Sequence, residues 1–196
     1  MQRRTFMRGG AATTLILTGV GVAGCTMTGN QAPTAATDTS KKQSIDASVD
    51  GTMSRLYSTV GGSRELVGKS QGVLVFPSVV EVGFIVGGQY GEGALRVGDA
   101  AAGYYSTVSA SFGLLAGAQS KSLIFLFITQ EALTKFRSSA GWTAGADASV
   151  ALLKVGANGA LDTTTATAPV EAIVLTNAGL MGDLSLEGTK VSPLKI

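Results

Sequence analysis

A chain of 196 residues that is 45% hydrophobic and only 14% charged is long enough to bury one stable core without covalent staples. It holds one cysteine and no histidine, which excludes an internal disulfide, cysteine-based metal clusters, and catalysis of the Ser-His-Asp or Cys-His kind. The formal charge of +2 originates in the first eight residues: without Arg3, Arg4 and Arg8, twelve basic residues face thirteen acidic ones, and so neutral a chain has no electrostatic footprint for nucleic acid.

The N-terminus begins "MQRRTFMRGG", a positive segment, followed by an apolar stretch over 11–24. Fourteen residues are too few for a ~30 Å hydrocarbon core, which needs ~20, but they suit the apolar region of a signal peptide spanning 1–24. Arg3-Arg4-Thr5-Phe6-Met7-Arg8 resembles the bacterial twin-arginine pattern. Val22-Ala23-Gly24-Cys25 resembles the lipobox of bacterial lipoproteins, where small residues admit a peptidase and the thiol becomes the lipid attachment point. The resemblance implies a palmitate-bearing lipoprotein of the bacterial cell envelope, anchored through Cys25. Thr26 rather than Asp after the cysteine favours the outer membrane. An incidental or reactive Cys25 is the alternative, but no basic residue follows closely enough to lower its pKa. Residues 25–43 carry almost no large apolar side chains and read as the lipidated cysteine and a flexible tether, its ends on the order of 25 Å apart.

The folded domain is expected over 44–196. Ile45, Val49, Met53, Leu56 and Val60 lie on one face of a helix over 41–60. Asp46 and Asp50 near its start and Arg55 toward its end suit the helix dipole. Gly51 weakens this helix and Gly61-Gly62 ends it. A second short helix follows over 63–70, with Ser63 as cap. The first helix either packs on the sheet or lays its apolar face into a headgroup region. Residues 41–69 hold five basic groups against three acids, whereas 70–196 hold seven against nine. An anionic lipid surface would therefore meet Lys41, Lys42, Arg55, Arg64 and Lys69 around the apolar Ile45, Val49, Met53 and Leu56, each exposed cation contributing ~1 kcal/mol.

From Gly72 the periodicity changes to that of strands. "GVLVFP" (72–77) reads as a buried strand stopped by Pro77, and 79–97 as two strands joined through glycines. Between 104 and 118 the alternation sets Tyr104, Ser106, Val108 and Ala110 on one face and Tyr105, Thr107 and Ser109 on a wet one. "SLIFLFIT" (122–129) is apolar on both faces, and 130–139 is a short helix. "GADASVALLKV" and "ALDTTTATA" read as a hairpin around 156–159, with "PVEAIVLT" and "LMGDLSLEG" as a closing pair. The fold class is α+β: a strongly bent antiparallel β-sheet, or partly closed barrel or sandwich, with N-terminal amphipathic helices and one short internal helix.

The segment "GGQYGEG" (87–93) fails the spacing of a phosphate loop and reads as a bulge or bend. Glu81 and Glu92 read as solvated surface acids rather than a catalytic pair, and Ser109 or Ser111 with Lys121 makes only a remote Ser-Lys dyad. No reaction and no cofactor is expected.

The ordered set "GVLVFPSVVEVGFIVGGQYGEGALRV", "GYYSTVSASFGLLAGAQSKSLIFLFIT", "ALTKF", "GWTAGADASVA" and "PVEAIVLTNAGLMGDLSLEGTKVSPL" resembles the SYLF domain family over about 44–195. That family occurs in bacterial lipoproteins and in eukaryotic membrane-trafficking and actin-patch proteins. The resemblance implies phospholipid binding, with anionic phospholipids as the partner in a bacterial envelope and the segment 41–60 in the place of the lipid-contacting helix. Actin regulation belongs to the eukaryotic relatives and their SH3 or FYVE modules, which this sequence lacks. A structural lipoprotein that binds an envelope protein partner is the alternative.

Overall fold

The computed structural model describes residues 35–83, 86–112, 117–153, 161, 168–176, 179–180 and 186–196. The chain divides into two compact units, Met1–Ala32 and Pro33–Ile196, and every described residue lies in the second. The signal segment, the lipobox and Cys25 fall outside the described residues.

The first helix, α1, spans Ala35–Thr59. It starts well before residue 44, so residues 35–43 are helical where the composition predicted a tether. Their hydroxyls fold back onto the helix, Thr39 onto the Ala35 carbonyl at 2.8 Å and Ser40 onto that of Thr37 at 2.9 Å. Lys41 then joins the sheet through Glu92. The second helix, α2, spans Ser63–Lys69. Its cap is Gly62, at φ 80°, and not Ser63. The Ser63 hydroxyl is buried and donates instead to the Val60 carbonyl at 2.6 Å, closing the end of α1. The third helix, α3 (Gln130–Ser138), is capped by Thr129, whose hydroxyl accepts from the Ala132 N–H at 3.2 Å.

Among the described residues, nine strands form one sheet: β1 (Gly72–Gly83), β2 (Val86–Val97), β3 (Ala100–Phe112), β4 (Gly117–Phe127), β5 (Trp142–Thr143), β6 (Val150–Leu152), β7 (Val170–Thr176), β8 (Gly179–Leu180) and β9 (Lys190–Pro193). Their order is β5-β9-β3-β2-β1-β4-β7-β6, with β8 paired to β7. Every pairing is antiparallel except β6 with β7, which makes the sheet mixed rather than antiparallel throughout. β6 thus takes β7 as a parallel neighbour on one edge, a pairing the sequence did not indicate. β7 is buried from Val170 to Leu175, so it needs a neighbour on each edge; β4 takes one and β6 the other. Most of the expected second arm, 160–168, lies outside the described residues.

Pro77 does not end β1. The strand passes through it with a bulge between Val75 and Ser78, which removes the need for the missing N–H and flips which side chains face inward. Gly93 stands opposite that bulge, and a Cβ there would run into the Val75 carbonyl oxygen. The glycine-rich segment thus serves as a smooth strand facing a bulge in its neighbour. The predicted strand over 104–118 is likewise two strands, β3 ending at Phe112 and β4 beginning at Gly117.

The sheet is strongly curled. Trp142 of β5 meets Phe125 and Phe127 of β4 edge-on at 5.6 and 6.2 Å, although four strands separate β5 from β4 in the sheet order. In a flat sheet those strands would stand about 24 Å apart. The concave face holds Leu74, Phe76, Leu123, Phe125 and Phe127 with Leu133 and Phe136 of α3. The convex face packs Val73, Val75, Ala94, Ile124 and Leu126 under α1. β4 is thus buried on both faces, as its apolar run predicted. On β3 the predicted facing is inverted: Tyr105 and Thr107 point into the concave core, and Val108 is 52% exposed. Closure of the sheet brings Tyr105 onto Phe136 at 4.9 Å, while α1 covers β1 and β2 and leaves the outer face of β3 open beyond Tyr104.

Candidate functional site

The apolar face of α1 is core. Val49 and Leu56 are fully buried, Ile45 nearly so, and Met53 is half-buried against the same cluster. In this conformation Ile45, Val49 and Leu56 face the sheet and not a lipid surface, because β1, β2 and β4 offer them an apolar floor.

The five predicted cations are spread along α1 and α2. Lys41 and Lys42 stand near the start of α1, and Arg55 stands fourteen residues on, about 21 Å along the helix axis. Lys41 reaches Glu92 at 2.8 Å, and Lys42 lies 5.9 Å from the Tyr104 ring centroid. Arg64 of α2 stacks over Tyr57 at 4.3 Å, and Lys69 pairs with Glu65 at 2.7 Å within its own helix. Arg55 carries no ion pair among the described residues.

Polar side chains clasp α1 to the sheet. Arg96 of β2 lies 3.0 Å from Asp50 and 3.2 Å from Asp46, and the Tyr104 hydroxyl donates to Asp46 at 2.8 Å. Burial and that hydrogen bond hold the Tyr104 phenol above its ordinary range. The Tyr90 hydroxyl donates to Glu92 at 2.7 Å, and this bond to a carboxylate pushes its pKa up to about 12. Burial opposes ionisation of Glu92, yet its bonds to Lys41 and Tyr90 outweigh it and keep the carboxyl below the usual value.

Glu81 is not a solvated acid. It is buried on the concave side and accepts from Lys121 at 3.1 Å, so Lys121 is a partner of a carboxylate and not of a serine. Glu81 and Glu92 lie on opposite faces of the sheet, since the bulge sets Glu81 in line with buried Val79 while Glu92 meets Lys41 of α1. Among the described residues no group of three potential metal ligands occurs, and no helix is long and apolar enough to cross a membrane.

Sequence reading missed the exposed apolar residues of the convex face: Val80, Val82, Tyr90 and Val108. Pro77 inside an apolar run was the available signal, because a bulge at that point reverses the alternation downstream of it. Glu171 was missed as well. It is fully buried, neither carboxylate oxygen has a hydrogen-bond partner among the described residues, and burial raises its pKa.

No curated protein matches the chain. The family model described as Ysc84, Las17-binding protein actin regulator, matches residues 108–195, which include the end of β3, β4, α3 and all the later strands. That match supports a lipid-binding or actin-related domain. Residues 108–195 thus match the model of the Ysc84 (SYLF) family, the family that the sequence resembles.

Proposed function

We propose that the protein is a lipid-anchored component of the bacterial envelope, held at the outer membrane through Cys25, whose SYLF domain binds anionic phospholipid without transforming it. The observation that carries this reading is the family match over 108–195. The twin-arginine-like and lipobox-like segments before Cys25 support the anchor. Labelled palmitate should enter the wild-type protein and not the Cys25→Ala variant; incorporation into that variant refutes the anchor.

A second reading, a lipoprotein that binds an envelope protein, draws on the burial of Ile45, Val49 and Leu56 and on a family description that names a protein partner. Full-length Cys25→Ala chain, which lacks any acyl group, separates the two. Under the first reading it sediments with phosphatidylglycerol or cardiolipin vesicles, less so as salt rises. Failure to bind them at any salt concentration leaves the second.

A further inference from the structure

We propose, resting on the lipid-binding reading above, that the convex face of β1–β3 beside the start of α1 is the surface that enters the headgroup boundary of an anionic bilayer. It is built of Val80, Val82, Tyr90 and Val108, which are 42%, 60%, 50% and 52% exposed. Among the described residues these are the large apolar side chains left open to solvent.

Pairing places them side by side. Val80 stands opposite Tyr90, and Tyr90 opposite Val108, giving an apolar row across three strands. Val82 lies two residues further along β1, opposite Gly88, which faces Ala110. Neighbours in such rows have Cβ atoms about 5 Å apart, so the four form one ledge and not scattered contacts. Tyr90 presents its ring while its hydroxyl is held by Glu92, an arrangement suited to a boundary that is apolar on one side and polar on the other. In sequence, Phe84, Ile85, Leu114 and Leu115 are apolar too, but the surface is defined by the four side chains above.

The occupant follows from what surrounds the ledge. A cleft of about 290 Å³ separates Val80 and Tyr90 from Ser44, Ile45 and Ser48 of α1. Lys41 and Lys42 stand one turn before that cleft, and Lys41 is held by a single carboxylate, Glu92, for which an anionic headgroup can substitute. An apolar ledge beside the Lys41–Glu92 pair, with Lys42 on the same turn of α1 over Tyr104, suits an interfacial contact with an anionic surface. α1 also runs in the direction of β2, since Lys41 meets Glu92 while Asp46 and Asp50 meet Arg96. Its N-terminus is therefore at the ledge end of the sheet. Cys25 lies ten positions before Ala35, a stretch of chain that spans at most about 36 Å.

The test uses the full-length Cys25→Ala protein with phosphatidylcholine vesicles, with and without cardiolipin. Val82→Asp with Val108→Asp should weaken partitioning by about tenfold or more, with an unchanged circular-dichroism melt. Lys41→Glu with Lys42→Glu should weaken it only on cardiolipin vesicles. In a separate Val82→Trp variant, the new indole should be quenched by brominated lipid, whereas buried Trp142 should not. Parent-like binding by the aspartate variant, or an unquenched indole, overturns the surface and leaves lipid binding standing. No binding by the parent protein removes the lipid reading and the surface together. A parent dimer that the aspartates split, with vesicle binding unchanged, assigns the ledge to a second copy of the chain and also overturns it.

Discussion

Glu171 illustrates what a single buried charge does to stability. It is fully buried on β7, between Leu126 of β4 and Ala151 of β6, and its carboxyl has no hydrogen-bond partner among the described residues. Burial raises its pKa above the ordinary 4.5, so the folded protein holds this proton more tightly than the unfolded chain does. Stability accordingly falls as pH rises from the unfolded value up to the raised folded one, and stays lower beyond it. Glu171→Gln should remove that loss: urea melts should find the variant more stable than wild type at pH 8, with the difference shrinking toward pH 4. Two glycines make an opposed pair. Gly51 lies exposed in α1 with open space around an added methyl, so Gly51→Ala should stabilise by about 0.5–1 kcal/mol. Gly93 faces the β1 bulge, and Gly93→Ala should destabilise by about 1–3 kcal/mol, since the clashing atom is backbone and has nowhere to move. Paired chemical melts of the two variants check both signs. The cost of Gly51 to its helix was legible in the sequence; the need for Gly93 was not, because the residue that demands it lies on another strand.

At the scale of elements, α1 is held by its buried face and by the Arg96, Tyr104 and Glu92 contacts. The exposed ion pairs contribute little individually, so the apolar face should dominate. Leu56→Ala should cost about 2–5 kcal/mol in a chemical melt. Truncating Arg55, half-buried and without an ion pair among the described residues, should fall within about 0.5 kcal/mol of wild type. The helix, its apolar positions and the short α3 were all readable from spacing, because helical period is a local property. The facing of β3 was not. Alternation shows that two faces differ but not which one another element will cover, and α3 with Trp142 covers the Tyr105 side. β1 misled for a related reason: a bulge at Pro77 costs one residue of register, and every later side chain on the strand changes sides.

For the molecule as a whole, closure depends on an aromatic cluster assembled from distant parts of the chain. Trp142 touches Phe125, Phe127 and Phe136 with ring centroids 5.6, 6.2 and 5.7 Å apart, joining the terminal strand β5 to the middle of the sheet and to α3. Trp142→Ala should therefore cost about 3–5 kcal/mol. The near-ultraviolet circular dichroism of the remaining aromatics should flatten more than the far-ultraviolet signal changes. By itself the sequence determined the α+β class, the helices, the doubly buried β4 and the family resemblance over about 44–195, because these depend on local period and on residue type. Only the tertiary structure decided that α1 buries its apolar face, that β6 runs parallel to β7, and that the exposed apolar ledge lies on β1–β3. Each of those depends on which surface another part of the chain happens to cover, and burial by a distant element leaves no periodic trace in the strand it covers.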